Sequence, residues 1–179
     1  MGKIFRRSVI RVLMILPFPL SLSISSIADN LSDLEKKKLV EAKIQSFEKD
    51  FKAPQISAAK LKDLLKNNPS EIVLVDVRTK HEQKVSMLKG AITRDEFLKN
   101  TSAYKGKTVV SYCTIGYRSS MFTEKLVKEG VKAFNLRGSL LLWTHTGGKL
   151  YKQSGKQTKK VHVYGKEWDL VPASYDSEY

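Results

Sequence analysis

Two short, continuous apolar segments constrain the fold of this 179-residue chain most strongly. Residues 72–77 read Ile-Val-Leu-Val-Asp-Val, and residues 108–113 read Thr-Val-Val-Ser-Tyr-Cys. Their length and branched side chains are typical of strands that are buried on both faces, as in a parallel sheet. Because segments with helical patterning surround them, the sequence predicts an α/β domain with a mainly parallel central sheet flanked by helices.

An extra helix is predicted ahead of this domain, at residues 30–51. Ser32 and Glu35 have the spacing of a capping box, and apolar residues then recur at steps of three and four, which indicates one buried stripe. Ala53-Pro54 ends this helix. The other predicted elements are a helix capped by Ser57, helical segments at 95–99 and 119–129, and a third strand at 131–136.

The first 28 residues have the pattern of a secretory signal peptide. Four basic residues and no acid lie within residues 1–11, residues 12–22 are almost continuously apolar, and small residues stand at Ser26 and Ala28. The apolar run is shorter than the roughly 20 residues that a spanning helix needs. We expect export to the periplasm or the exterior after cleavage near Ala28, with an uncleaved membrane anchor as the alternative.

The net charge of +14 is partly concentrated near the C-terminus, where residues 149–166 hold six lysines and no acid. We expect this basic extension to be solvated and to attract anionic substrates or a membrane surface. A strand at residues 161–164, anchored by Trp168, Pro172 and Tyr175, is the alternative. No nucleic-acid partner is expected, since an exported protein rarely meets one. The predicted organisation is a signal peptide at 1–28, a helical extension at 29–54, the α/β domain at 55–146 and the basic extension at 147–179.

The chain has one cysteine, Cys113, at the predicted end of the second strand. A single cysteine excludes an internal disulfide, a cysteine-rich zinc site and an iron–sulfur cluster held by this chain alone. Ligands of open α/β sheets bind at the carboxyl ends of strands. Cys113 is therefore either an inert core residue or a reactive thiol.

The residues that follow Cys113 favour the reactive thiol. A loop of free backbone N–H groups that leads into a helix forms a nest for an anion, and Gly116 permits the positive φ that a tight loop needs. The helix N-terminus and Arg118 add positive charge, so we expect a thiolate with a lowered pKa. The predicted anion-binding loop consists of Thr114, Ile115, Gly116, Tyr117, Arg118 and Ser119.

Four short motifs, taken in order, resemble those of the single-domain rhodanese family, over about residues 55–145. The strongest is Cys-Thr-Ile-Gly-Tyr-Arg-Ser at 113–119, which is similar to the family's C-x-x-G-x-R-S active loop. The others are Val-Asp-Val-Arg at 75–78, Leu-Lys-Gly-Ala-Ile at 88–92, and Leu-Arg-Gly-Ser at 136–139 followed by Trp143. The resemblance implies a rhodanese-like fold.

The resemblance also implies a sulfurtransferase that needs no metal or cofactor. Cys113 would take a sulfane sulfur from a small anion such as thiosulfate, hold it as a persulfide and pass it to a thiol or another thiophilic acceptor. Arg118 would neutralise the persulfide, brace the loop or bind the donor. Asp76 and Arg78 are expected to support the loop. Thr114 stands where some thiosulfate-using members have a basic residue, which weakens the case for thiosulfate.

Three alternatives remain open from the sequence. The first is a catalytically silent rhodanese-like module that binds a partner or relays sulfur. The second is a phosphatase or arsenate reductase, which the loop disfavours because only four residues separate Cys113 from Arg118 where those enzymes resemble C-x5-R. The third is a Cys–His hydrolase with His145 or His162 as the base, which no other hydrolase signature supports, so solvated or hydrogen-bonded histidines are expected instead. A protein partner could dock on the N-terminal helix, and the oligomeric state stays open.

Overall fold

A computed structural model describes residues 31–179. The predicted signal peptide and its cleavage site near Ala28 lie outside these residues. The helices are α1 Asp33–Phe47, α2 Ala58–Asn67, α3 Lys80–Val85, α4 Arg94–Lys99, α5 Tyr117–Lys128 and α6 Ser139–His145. The strands are β1 Gln55–Ile56, β2 Ile72–Asp76, β3 Ile92–Thr93, β4 Thr108–Tyr112, β5 Ala133–Leu136, β6 Leu150–Tyr151, β7 Gln157–Thr158, β8 Lys160–His162 and β9 Asp176–Glu178.

The predicted parallel sheet is confirmed. Five strands lie in the order β1-β5-β4-β2-β3, and every neighbouring pair runs parallel. Asp76 at the end of β2 is in register with Tyr112 at the end of β4. The residues that follow these two strands therefore share the carboxyl edge of the sheet.

Both faces of the sheet are buried, which explains why the two apolar segments lack polar alternation. Val73 and Val109 pack on one face with Phe97 and Phe122 of the helices that cover it. Leu74 and Val110 pack on the opposite face in a second, larger cluster. This cluster also includes apolar residues of α1, α2 and α6.

The N-terminal helix α1 packs on the domain. Its capping box is formed, because the Ser32 hydroxyl accepts the Glu35 N–H while the Glu35 carboxylate accepts the Ser32 N–H. Val40 and Ile44 are buried in the larger core cluster. The helix ends at Phe47 and a 3₁₀ turn, Glu48–Asp50, follows, so it is shorter than the predicted 30–51.

The C-terminal segment is part of the fold, which corrects the prediction of a solvated basic extension. The lysines of residues 149–166 are exposed, but Val161 and Val163 are fully buried. Strand β8 pairs with β9 in parallel, and an ion pair between Lys160 and Glu178 links them. The alternative of a packed strand was therefore the correct one. Contacts between β8 and α3 place this segment beside the carboxyl edge of the sheet.

Within residues 31–179, no helix combines the length and the apolar character that a membrane span requires. The same residues contain no group of three or more His, Cys, Asp or Glu side chains arranged to hold a metal ion.

Candidate functional site

Cys113 lies immediately after β4 and is 1% exposed. Its backbone N–H donates to the Ser139 hydroxyl at 3.0 Å, which fixes the residue against the start of α6. Its Sγ atom accepts the Gly116 N–H at 3.1 Å. The sulfur is thus held inside the curl of its own loop.

Gly116 is the turning point of that loop. Its φ is +113°, and it is the N-cap of α5, so the helix begins at Tyr117, two residues earlier than predicted. A Cβ atom at this position would lie 3.3 Å from Asn135 Nδ2 and 3.5 Å from the Gly138 nitrogen. The left-handed backbone conformation therefore favours glycine, and an added Cβ atom would also crowd the Asn135 side chain.

The surroundings of Cys113 favour the thiolate. Burial alone would raise the pKa of the thiol, but hydrogen bonds from the Ser119 side chain and backbone, the charge of Arg118 and the Gly116 N–H outweigh burial and lower it. The positive end of α5 acts in the same direction. A lowered pKa increases the fraction of nucleophilic thiolate near neutral pH.

Arg118, in the first turn of α5, forms a two-pronged ion pair with Glu82. Its Nη1 donates to Glu82 Oε2 at 2.8 Å, and its Nη2 donates to Oε1 at 2.6 Å. Glu82 also caps α3 by accepting the Thr79 N–H at 2.9 Å. Burial opposes the charge of Glu82, but these donors lower its pKa from 4.5 to about 2. Arg118 was expected to neutralise the persulfide, brace the loop or bind the sulfur donor. The ion pair with Glu82 corresponds to bracing the loop.

Glu82 is the site residue that the sequence analysis missed. Helix α3, which carries it, was not predicted either. Thr79 and Glu82 have capping-box spacing, which could have revealed the helix. The pairing with Arg118 spans 36 positions and needs the tertiary fold.

Asp76 and Arg78 form a fully buried ion pair beside the loop. Arg78 Nη2 donates to Asp76 Oδ2 at 2.7 Å and to the Ser86 carbonyl oxygen at 2.5 Å. Asp76 also accepts the Arg78 backbone N–H. These contacts connect the end of β2 to the C-terminus of α3. The ion pair therefore supports α3, the helix that carries Glu82.

A pocket of about 310 Å³ opens above Cys113. Its floor consists of Cys113, Thr114 and Ile115, and Arg118 lies on one side. The remaining walls are aromatic and come mainly from outside the central domain: Phe47 ends α1, while Tyr164 and Trp168 belong to the C-terminal segment. Local sequence patterns do not connect either extension with the site.

Neither histidine proposed as a base lines this pocket. The His145 Nε2 atom is 2.8 Å from the Leu170 carbonyl oxygen. The His162 Nδ1 atom accepts the Tyr164 N–H at 3.1 Å. Each ring has a backbone partner, and the arrangement does not support a Cys–His hydrolase.

Comparisons with known proteins identify relatives of this chain. The chain is 29% identical over 122 residues to the tRNA uridine(34) hydroxylase of Arthrobacter sp. (strain FB24), over 62% of this chain and 40% of that protein. It is 36% identical over 72 residues to the tRNA sulfurtransferase of Desulfurococcus amylolyticus, over 40% of this chain and 15% of that protein. The chain thus spans less than half the length of these relatives.

A solved structure supports the same fold. The thiosulfate sulfurtransferase from Pseudomonas aeruginosa matches 70% of this chain and 24% of its own, with a TM-score of 0.52 and 20% sequence identity. At this identity the likeness concerns the fold alone. The rhodanese-like domain model matches residues 57–146, half of the chain, and this chain belongs to the rhodanese-like domain family.

Proposed function

We propose that the protein is a sulfurtransferase that carries a sulfane sulfur as a persulfide on Cys113 and passes it to a thiophilic acceptor. The observation that carries the proposal is the environment of Cys113 Sγ. The sulfur accepts the Gly116 N–H, has a lowered pKa and forms the floor of a pocket. A buried, unreactive cysteine needs none of these features.

The loading step follows from this environment. The Cys113 thiolate attacks the sulfane sulfur of a donor such as thiosulfate, the Sγ–S bond forms, and sulfite leaves with the electron pair of the broken S–S bond. The persulfide keeps one negative charge. The Gly116 N–H, the Ser119 donors and the N-terminus of α5 stabilise that charge.

The transfer step regenerates the enzyme. A thiolate or another thiophilic acceptor attacks the outer sulfur, and the electron pair of the Sγ–S bond returns to Cys113. The same hydrogen-bond donors that lower the pKa of the Cys113 thiol stabilise the departing Cys113 thiolate. One set of groups therefore serves both halves of the reaction.

The comparisons support this reaction class. One relative is named as a tRNA sulfurtransferase, and the family is the rhodanese-like domain. Another relative carries the name of a tRNA hydroxylase, so membership of the family does not by itself define the activity. The loop argues against a phosphatase or arsenate reductase, because position 119 is Ser and C-x5-R fails.

Steady-state transfer from thiosulfate to cyanide tests the proposal against a silent relay module. We expect thiocyanate to form at a rate proportional to enzyme and to disappear in Cys113→Ser. A relay module that is loaded only by its own protein partner would not be reloaded by thiosulfate and would give no sustained thiocyanate formation. An intact thiol that gains no sulfur and yields no thiocyanate would leave the partner-binding module as the better account.

We also propose that the protein is exported, on the basis of the basic, apolar and small-residue order of residues 1–28. Expression of the full chain in an exporting host tests this. A mature chain that begins at Asp29 supports cleavage, whereas a membrane-bound chain that begins at Met1 supports the anchor.

A further inference from the structure

We infer that the physiological sulfur donor is an organic sulfane-sulfur compound with an apolar body the size of one ring, rather than a small inorganic anion. This inference rests on the proposed sulfurtransferase function. It is drawn from the side chains that form the walls of the pocket, whereas the loop motif forms its floor.

The walls of the pocket are aromatic and are linked to one another. The ring of Tyr117 lies 5.5 Å from that of Phe47 and 5.0 Å from that of Phe51, in edge-on geometry. Trp168 closes another side, and the Lys43 ammonium lies 4.3 Å from its ring centroid. Such walls favour an apolar group over a hydrated anion. A strongly hydrated ion would lose its water beside them, and the aromatic rings would not replace the lost hydrogen bonds.

The positive charge in the pocket is partly compensated. Among the described residues that line the pocket, Arg118 is the one basic side chain, and both of its terminal nitrogens donate to Glu82. Thr114, which follows Cys113, is neutral and also accepts from Arg118 at 3.2 Å. A dianion such as thiosulfate therefore meets little uncompensated positive charge.

The size of the pocket suits a small organic molecule. At about 310 Å³ it stands at the lower end of the range for ligand pockets. The floor takes the reacting sulfur beside Cys113, and the remaining space extends toward Phe47 and Trp168. One ring together with the sulfur-bearing group fits within this volume.

Tyr164 at the rim is held in a strained conformation. Its φ is +73°, a left-handed value that is unusual for a bulky residue, and the residue is 68% exposed. Its ring lies 5.8 Å from the Arg118 guanidinium carbon. Backbone strain of this kind clusters at ligand sites, and here it keeps an aromatic ring at the mouth of the pocket.

The donor chemistry balances without an added oxidant or reductant. For a thiosulfonate, the Cys113 thiolate attacks the terminal sulfur and forms the Sγ–S bond. The S–S bond of the donor breaks, and its electron pair leaves with the organic sulfinate. One negative charge stays on the persulfide and one departs with the product.

Two monoanionic donors that differ only in their body provide the test, benzenethiosulfonate and methanethiosulfonate. Loading of the full-length protein is followed by quenched intact-mass spectrometry, and each rate constant is divided by that of the same donor with N-acetylcysteine. We expect a normalised preference for the phenyl donor of about tenfold or more. Thiosulfate should load more slowly than the phenyl donor.

Tyr164→Gly locates the source of this preference, because glycine accepts the left-handed backbone and the ring is lost. We expect the preference to fall several-fold in this variant and to persist in Tyr179→Gly, an exposed tyrosine outside the pocket. Equal normalised loading of the wild type by both donors, or faster loading by thiosulfate, would overturn the inference while the sulfurtransferase stands. Absence of loading by every donor would instead remove the proposed function.

Discussion

Glu82 holds Arg118 with both of its carboxylate oxygens, at 2.6 and 2.8 Å, and so connects the cap of helix α3 to the first turn of helix α5 beside Cys113. The carboxylate is almost fully buried, whereas a third of the Arg118 side chain is exposed. This pair positions the cation and reduces the charge that it presents to the pocket.

Glu82→Gln should release that charge. Glutamine keeps the capping box, so α3 is retained, but the guanidinium loses its ionic partner. We expect thiosulfate to load Cys113 several-fold faster, with a smaller gain for a monoanionic donor, and stability to fall by about 1–3 kcal/mol. Loading rates from intact mass and urea unfolding measure both effects. An unchanged ratio between dianionic and monoanionic donors would show that Glu82 does not control the charge of the pocket.

The same carboxylate predicts an acid-sensitive fold. The pKa of Glu82 is lowered from 4.5 to about 2 in the folded protein. A lowered folded pKa adds stability that is present above the unfolded value and is lost as the pH falls from about 4.5 toward 2. Urea melts across this pH range should show the loss in the wild type, and Glu82→Gln should flatten it. Curves of equal slope for both proteins would contradict the assignment.

Ser119→Ala should raise the pKa of Cys113. Burial favours the neutral thiol, and the Ser119 hydroxyl is the strongest of the groups that oppose it. The pH dependence of alkylation by iodoacetamide reports this pKa, so the midpoint should move upward and the rate at neutral pH should fall several-fold. Ser154→Ala, on the exposed surface, is the control. A midpoint that does not move would mean that other donors set the pKa.

Gly116→Ala should damage the loop through two effects. A residue with a Cβ atom in the left-handed region costs about 1–2 kcal/mol, and here the Cβ would also press on Asn135. Gly155→Ala provides a matched comparison, because Gly155 has a φ of +82° and open space around its Cβ position. Both variants should lose stability by thermal melting, but only Gly116→Ala should slow persulfide formation. Normal loading in Gly116→Ala would show that the loop keeps its reactive conformation despite the added Cβ atom, and would contradict the need for glycine at this position.

The sequence was sufficient for the three central strands of the sheet, β2, β4 and β5, because burial leaves a local signature, whereas the two-residue edge strands β1 and β3 were not predicted. The apolar runs of β2 and β4, the Ser32 and Ser57 caps and the Cys113 loop are all short-range patterns. They predicted the architecture and the residues that surround the thiol.

What could not be predicted depends on contacts between distant parts of the chain. Phe47 and Trp168 are separated by more than a hundred residues, yet they line one pocket. Their positions follow from how α1 and the C-terminal segment pack on the domain. The exposed lysines obscured that packing, because the buried Val161 of β8 and Val163 just after it alternate with polar residues in too short a segment to stand out.

A persulfide on Cys113 is measured by the intact mass of the full-length protein before and after a sulfane donor, and again after cyanide. We expect the wild type to gain one sulfur atom and to return to its original mass with cyanide. The mass of Cys113→Ser should stay the same throughout. A wild-type thiol that stays at its original mass with thiosulfate and with both thiosulfonates would contradict persulfide formation on Cys113.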